Sequence, residues 1–223
     1  MATVSNVWQP EFMQGRFFRL FVSHTSAHRQ AVGALRAALL PHGVLAFVAH
    51  DAIQPTQEWL DVIVRALREA EALAAYLTGD FHDSPWTDQE VGAAVGRELL
   101  VLPLKVDQDP YGFIGRYQAM NANIDTGVLA RQIAAILRTH ALTKRPMAEA
   151  VVDRFVHSDG WNSARENLKR LKELPADVWA PWLVEAVRLA TSSNTEIQTA
   201  DVGFGQSTVA AEALKLIDSL PGP

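Results

Sequence analysis

Between residues 17 and 106, four short and almost uninterrupted apolar runs alternate with helical patterns, and few folds accommodate that order. The runs are residues 17–22, 44–48, 71–77 and 99–106. Between the first two, residues 27–40 carry Ala31, Val32, Leu35, Ala38 and Leu39 along one helical face. Pro41, His42 and Gly43 then form a helix-stop cluster. Leu60, Ile63, Val64 and Leu67 recur at i, i+3, i+4 and i+7, and Val91, Ala94 and Val95 line a further helix. A strand that is apolar at every position is covered on both faces. Helices between such strands make βαβ units and a parallel sheet. Residues 118–122 read as a short fifth strand and residues 128–137 as a closing helix, which ends the α/β domain near residue 140.

The remainder, residues 141–223, has no β-run and reads as an all-helical appendage. Helices are expected over 146–156, 175–189 and 207–220. Ser163 with Glu166, and Ser193 with Glu196, have capping-box spacing ahead of further helical turns, and for the first pair an earlier start at Trp161 is the alternative. Two glycines around Phe204 follow no strand, which disfavours a dinucleotide fingerprint there. Lys169, Arg170 and Lys172 read as a solvated basic face.

Composition removes whole classes of chemistry. The chain has 223 residues, 48% hydrophobic and 20% charged, which is globular and not disordered. It contains no cysteine, so disulfides, Cys-liganded zinc, iron–sulfur clusters and thiol nucleophiles are all excluded. The net charge of -5 is spread over both parts, with no basic half to track phosphates, and nucleic-acid binding is disfavoured. No basic start followed by an apolar run opens the first 15 residues, and the longest apolar stretch, 99–106, is far short of a bilayer span. A soluble, cytoplasmic protein with no membrane contact is the expectation.

Open parallel sheets bind ligands outside the carboxyl ends of their strands, where the strand order switches direction. That edge carries Ser23 and His24 after the first run, the loop 50–57 after the second, and residues 78–90 after the third. In Trp86-Thr-Asp-Gln-Glu90 an indole and a carboxylate stand four apart, on one face if a helix runs through them. A carboxylate beside an aromatic plane suits a cationic planar ligand and can offset oxocarbenium charge at a sugar carbon. A solvated glutamate and a packing tryptophan fit the same spacing. Ser23 fits the ligand edge, and equally a helix cap, as do Thr25 and Ser26. His24 and His28 are four apart without a third ligand at a supporting spacing, so no metal site is expected. The loop Asp51-Ala-Ile-Gln-Pro55, followed by Trp59, fits a binding lid or an ordinary strand-to-helix connection.

The order of these segments is more specific than any one of them. FVSH at 21–24, DAIQP at 51–55, EWLDVIVRALREA at 58–70, EALAAYLT at 71–78, SPWTDQE at 84–90 and LLVLPLKV at 99–106 together resemble the Toll/interleukin-1 receptor (TIR) domain family. The resemblance covers about residues 16–138 and is closest to bacterial members. It implies a flavodoxin-like five-stranded parallel sheet over 16–140, with the helical domain 141–223 outside the match. For members that keep the glutamate, it implies cleavage of the nicotinamide–ribose bond of NAD+. By motif position Glu90 is then the catalytic carboxylate, and Ser23, His24, Asp51, Ile53 and Trp86 belong to the substrate pocket or its lid. NAD+ is the substrate, no cofactor is needed, and the product is ADP-ribose or a cyclic ADP-ribose isomer. The family implies self-association through TIR domains, an upstream sensor or downstream effector as partner, and a role in bacterial antiphage signalling. Two alternatives stay open: a non-catalytic TIR–TIR interaction module, and a nucleotide-binding sensor without turnover.

Overall fold

The computed structural model describes residues 8, 15–48, 59–203, 205 and 207–220. They divide into two compact units, one of residues 18–135 with Trp8, the other of residues 136–220 with 15–17.

The first unit is built on β1 (Phe18–Ser23), α1 (Arg29–Leu39), β2 (Val44–Phe47), α2 (Trp59–Glu69), β3 (Ala72–Leu77), α3 (Thr87–Gly96), β4 (Leu100–Lys105), β5 (Met120–Asn121) and the part of α4 (Thr126–Thr139) up to Ala135. The strands form one parallel sheet in the order β2-β1-β3-β4-β5. The continuous apolar runs are its interior. All six residues of β3 and all four of β2 are buried. Phe18, Leu20 and Phe21 of β1 have no solvent exposure. Phe21 stacks on Phe47 of the adjacent strand at 5.3 Å, and Trp8 tilts against Phe47 at 5.8 Å. The strand order reverses direction between β1 and β3, where Ser23 pairs with Ala75. This is the flavodoxin-like switch point at which such sheets open to ligands.

The stop signal after α1 works as its residues dictate. Leu40–His42 tighten into a 3₁₀ turn, Gly43 takes the left-handed φ of 80°, and its carbonyl accepts from the Phe18 amide at 2.9 Å as β2 begins. The fifth strand shrinks from the expected 118–122 to two residues, because its ladder is limited to Leu104 and Lys105 of β4.

The second unit packs α5 (Lys144–Val156), α6 (Trp161–Lys172), α7 (Pro181–Ser193), α8 (Thr195–Thr199) and α9 (Val209–Asp218) around Met147, Val151, Phe155, Leu168, Leu171, Val187, Ile197 and Ile217. Residues 15–17 are held by α5. The Arg16 amide donates to Asp153, its guanidinium pairs with Glu149, and Arg154 lies 4.7 Å over the Phe17 ring.

Several local expectations change in this unit. The helix expected over 175–189 is a 3₁₀ turn, Ala176–Val178, followed by α7. Pro181 holds Ala180 extended (ψ 150°) and starts a new helix at its first position. Ser163 is not an N-cap. The helix takes the alternative start two residues earlier, at Trp161, and the Ser163 hydroxyl accepts from the Gly160 amide at 3.1 Å. Ser193 ends α7, and Asn194 caps α8 in its place, its side-chain oxygen accepting from the amides of Glu196 and Ile197. A short antiparallel pair, β6 (Asp201–Val202) with β7 (Ser207–Thr208), lies where no strand is expected. Two residues per strand leave too little periodicity to read.

Candidate active site

Glu90 enters the protein core from the first turn of α3. Trp86 is the N-cap residue, and its carbonyl accepts from the Glu90 amide at 2.9 Å, so the helix runs through the Trp86–Glu90 spacing as the motif requires. Below this turn the Thr87 hydroxyl donates to the Phe81 carbonyl, which ties the start of α3 to the segment leaving β3. α3 packs on β3 and β4 and reaches β1. Its Glu90 side chain is only 6% exposed.

The partner of that carboxylate is Ser23, the last residue of β1. Its hydroxyl has no solvent exposure and donates to Glu90 Oε2 at 2.6 Å. The serine is therefore no helix cap: the cap position of the following 3₁₀ turn belongs to Thr25. The glutamate is likewise no solvated surface group. A carboxylate out of water resists ionisation, and burial pushes Glu90 up from 4.5 to about 7, while the Ser23 hydrogen bond pulls the other way. At neutral pH this group is poised between its two protonation states, the range in which acid–base or electrostatic chemistry is cheapest to tune.

His24 follows at the same sheet edge, 9% exposed. A carbonyl oxygen only accepts, so His24 Nδ1 donates to the Val22 carbonyl at 3.0 Å, which fixes the ring orientation. Trp86 is half-buried at the head of α3. The structure thus brings Ser23 and Glu90 into direct contact, with His24 next to Ser23 in the chain and Trp86 one helical turn before Glu90. Asp51 and Ile53, assigned to the pocket or its lid, lie outside the described residues.

Two features at this end of the sheet were not singled out from sequence. Asp80 accepts from the Thr78 hydroxyl at 2.6 Å, with His28 Nε2 at 3.6 Å. Asp88, inside the Trp86–Glu90 motif, accepts from the Tyr111 hydroxyl and from His82 Nδ1, both at 2.6 Å. The second network joins residues 29 positions apart at the most, across a segment with no periodicity, and only its acidic member stood in a legible motif. Among the described residues no group of three His, Asp or Glu side chains is arranged to hold a metal ion. Among them, too, no helix is long and apolar enough to cross a membrane.

A buried, proton-poised carboxylate at the switch point of a five-stranded parallel sheet is an arrangement fit for a ligand that develops positive charge. Comparison with curated proteins and with solved structures gives no match. The family model of the TIR domain matches residues 20–137, a span that includes all but the first two residues of the sheet, and Ser23, His24, Trp86 and Glu90. Domains of this family serve in signalling, commonly self-associate and include NAD-cleaving enzymes. With more than half of its length matched in this way, the chain belongs to the TIR domain family.

Proposed function

We propose that the protein is an NAD+ glycohydrolase that cleaves the nicotinamide–ribose bond with Glu90 as its catalytic carboxylate. The observation that carries this reading is the burial of Glu90 against Ser23. A glutamate kept for helix solubility has no reason to sit 6% exposed at the ligand edge of a sheet, at a cost in ionisation.

The chemistry asks for little more than this. Nicotinamide in NAD+ is cationic, so when the C1′–N bond breaks the electron pair goes to the ring nitrogen and the base departs neutral. No general acid is needed, which removes the second carboxylate of an ordinary glycosidase. Positive charge develops on the ribose, and Glu90 in its ionised form offsets it. Its location out of water makes that interaction stronger than at the surface. A bound pyridinium also favours the ionised carboxylate, since an opposite charge nearby lowers its pKa. Water then attacks C1′, and its proton leaves to solvent or to Glu90, giving ADP-ribose. Attack by an adenine nitrogen or a ribose hydroxyl of the same molecule, with release of its proton, gives a cyclic ADP-ribose in place of the hydrolysis product. Trp86, half-buried next to the helix that carries Glu90, is suited to shape the pocket and to govern which nucleophile arrives.

Mass-spectrometric analysis of NAD+ incubated with concentrated protein tests the reaction type. Nicotinamide together with ADP-ribose, or with a cyclic ADP-ribose lighter by the mass of one water, supports it. Intact NAD+ after prolonged incubation at high protein concentration contradicts it and favours a domain that acts through TIR–TIR contacts alone.

A further inference from the structure

α3 has a second equipped flank. Residues two apart on a helix point to nearly opposite sides, so Asp88 faces away from Glu90 and shares its side with Val91. On that side, Asp88 and Val91 line a cavity of about 270 Å³ together with Phe81, His82, Tyr111 and Phe113. Phe81 and Val91 are buried and form an apolar floor. His82 and Tyr111 stand edge to face, with ring centroids 5.2 Å apart and planes at 81°. Asp88 locks both rings: Tyr111 donates its hydroxyl to Oδ1 and His82 donates Nδ1–H to Oδ2. Partial burial and the neighbouring Asp88 hold the Tyr111 hydroxyl firmly protonated, so this donor does not titrate away. Phe113 lines the cavity yet is 71% exposed.

From these walls we infer that the cavity is a nucleobase subsite, separate from the Glu90 pocket, that takes a planar heteroaromatic ring bearing an N–H donor, of the adenine type. Three features favour that ligand. The walls are ring faces and edges with fixed orientation, which is the surface a flat π-system stacks on. Each Asp88 oxygen has spent one hydrogen bond on its protein partner, and a carboxylate offers about four acceptor positions, so an exocyclic amine finds an acceptor at the mouth. The volume is below that of a pocket for a drug-sized molecule, and fits one base with or without its sugar. Phe113, an aromatic side chain left in water at the rim, gains by closing over the occupant.

This subsite goes beyond the proposed reaction and does not require turnover. Adenosine has no pyridinium–ribose bond, so its binding to the full-length protein is readable by saturation-transfer NMR or calorimetry whether or not NAD+ is cleaved. Adenosine is expected to bind wild type and Glu90→Gln alike, while ribose without a base does not. Phe113→Ala, at an exposed position that leaves the core intact, is expected to weaken adenosine binding about tenfold, with Phe113→Tyr restoring it. Absence of adenosine binding at millimolar concentration overturns the subsite. So does binding that survives Phe113→Ala unchanged, or that is lost with Glu90→Gln and thus belongs to the catalytic pocket. If adenosine binds as expected while NAD+ stays intact, the catalytic reading fails and the subsite stands.

Discussion

Glu90→Gln should make the sheet domain more stable, and increasingly so as pH rises. In the folded chain the Glu90 carboxyl titrates at about 7 in place of 4.5, chiefly because burial removes its water. Between those values the folded state holds a proton that the unfolded chain has released, so the unfolded state binds fewer protons and stability falls with rising pH. The penalty is absent below 4.5, grows through the window and is complete above about 7. The distance from 4.5 to about 7 corresponds to about 3 kcal/mol. Glutamine has the same shape and never ionises, and the Ser23 hydroxyl can still donate to its amide oxygen. The variant should therefore lie close to wild type at pH 4.5 and exceed it by about 3 kcal/mol at pH 8. Taking the difference between the two proteins cancels every other titrating group. Because the chain has two units, stability is best followed locally, from the amide resonances of β1 and β3 across a urea titration at each pH. A difference that does not change with pH refutes the buried-carboxylate assignment. One that changes with the opposite sign points to a glutamate stabilised in its ionised form.

Three further substitutions test separate parts of the structure. Ser23→Ala removes the hydrogen bond that favours the ionised carboxylate, so the midpoint of the kcat/KM profile for NAD+ should move to higher pH by about one to two units; an unchanged midpoint contradicts the pairing. Glu98 follows α3 in the left-handed region at φ 57°, where a side chain is strained and glycine is not. Glu98→Gly should accordingly raise stability in urea unfolding by about 1 kcal/mol, and a loss speaks against the strain. Asn194 caps α8 with its oxygen and donates its amide to the carbonyls of Val156 and Ser158, both at 3.0 Å. Asn194→Ala should cost the helical unit about 2–3 kcal/mol in the same measurement, and a change of only a few tenths shows those bonds to be replaceable by water.

What was legible in the sequence follows the length scale of each signal. β1 to β4 were readable because strands covered on both faces are apolar at every position, as in Ala72–Leu77, and because the helices between them keep a 3.6-residue stripe. Ser23 and Glu90 were readable as candidates through their places at strand and helix ends, but not as a contact. Their side chains meet across 67 positions of sequence, and only the parallel pairing of β1 with β3 brings them together. The raised pKa was hidden for the same reason, since it depends on burial and not on neighbours in the chain. Pro181 was visible in the sequence, yet the apolar pattern over 175–189 masked the helix break it enforces. The Asp88, His82 and Tyr111 network lay beyond periodicity altogether, because Tyr111 sits in an irregular segment where spacing carries no facing information.

The claim on which the functional account rests is that the ionised Glu90 carboxylate drives loss of nicotinamide. Its most direct test is the rate of nicotinamide release from NAD+ by wild type and by Glu90→Gln, at equal and high protein concentration and at pH 8, where the carboxylate is ionised. Wild type should release nicotinamide, and the variant, folded and no less stable, should be slower by about 10²–10³-fold, the loss expected when a preorganised charge-stabilising group is removed. Equal rates in the two proteins, or release by neither, would contradict it.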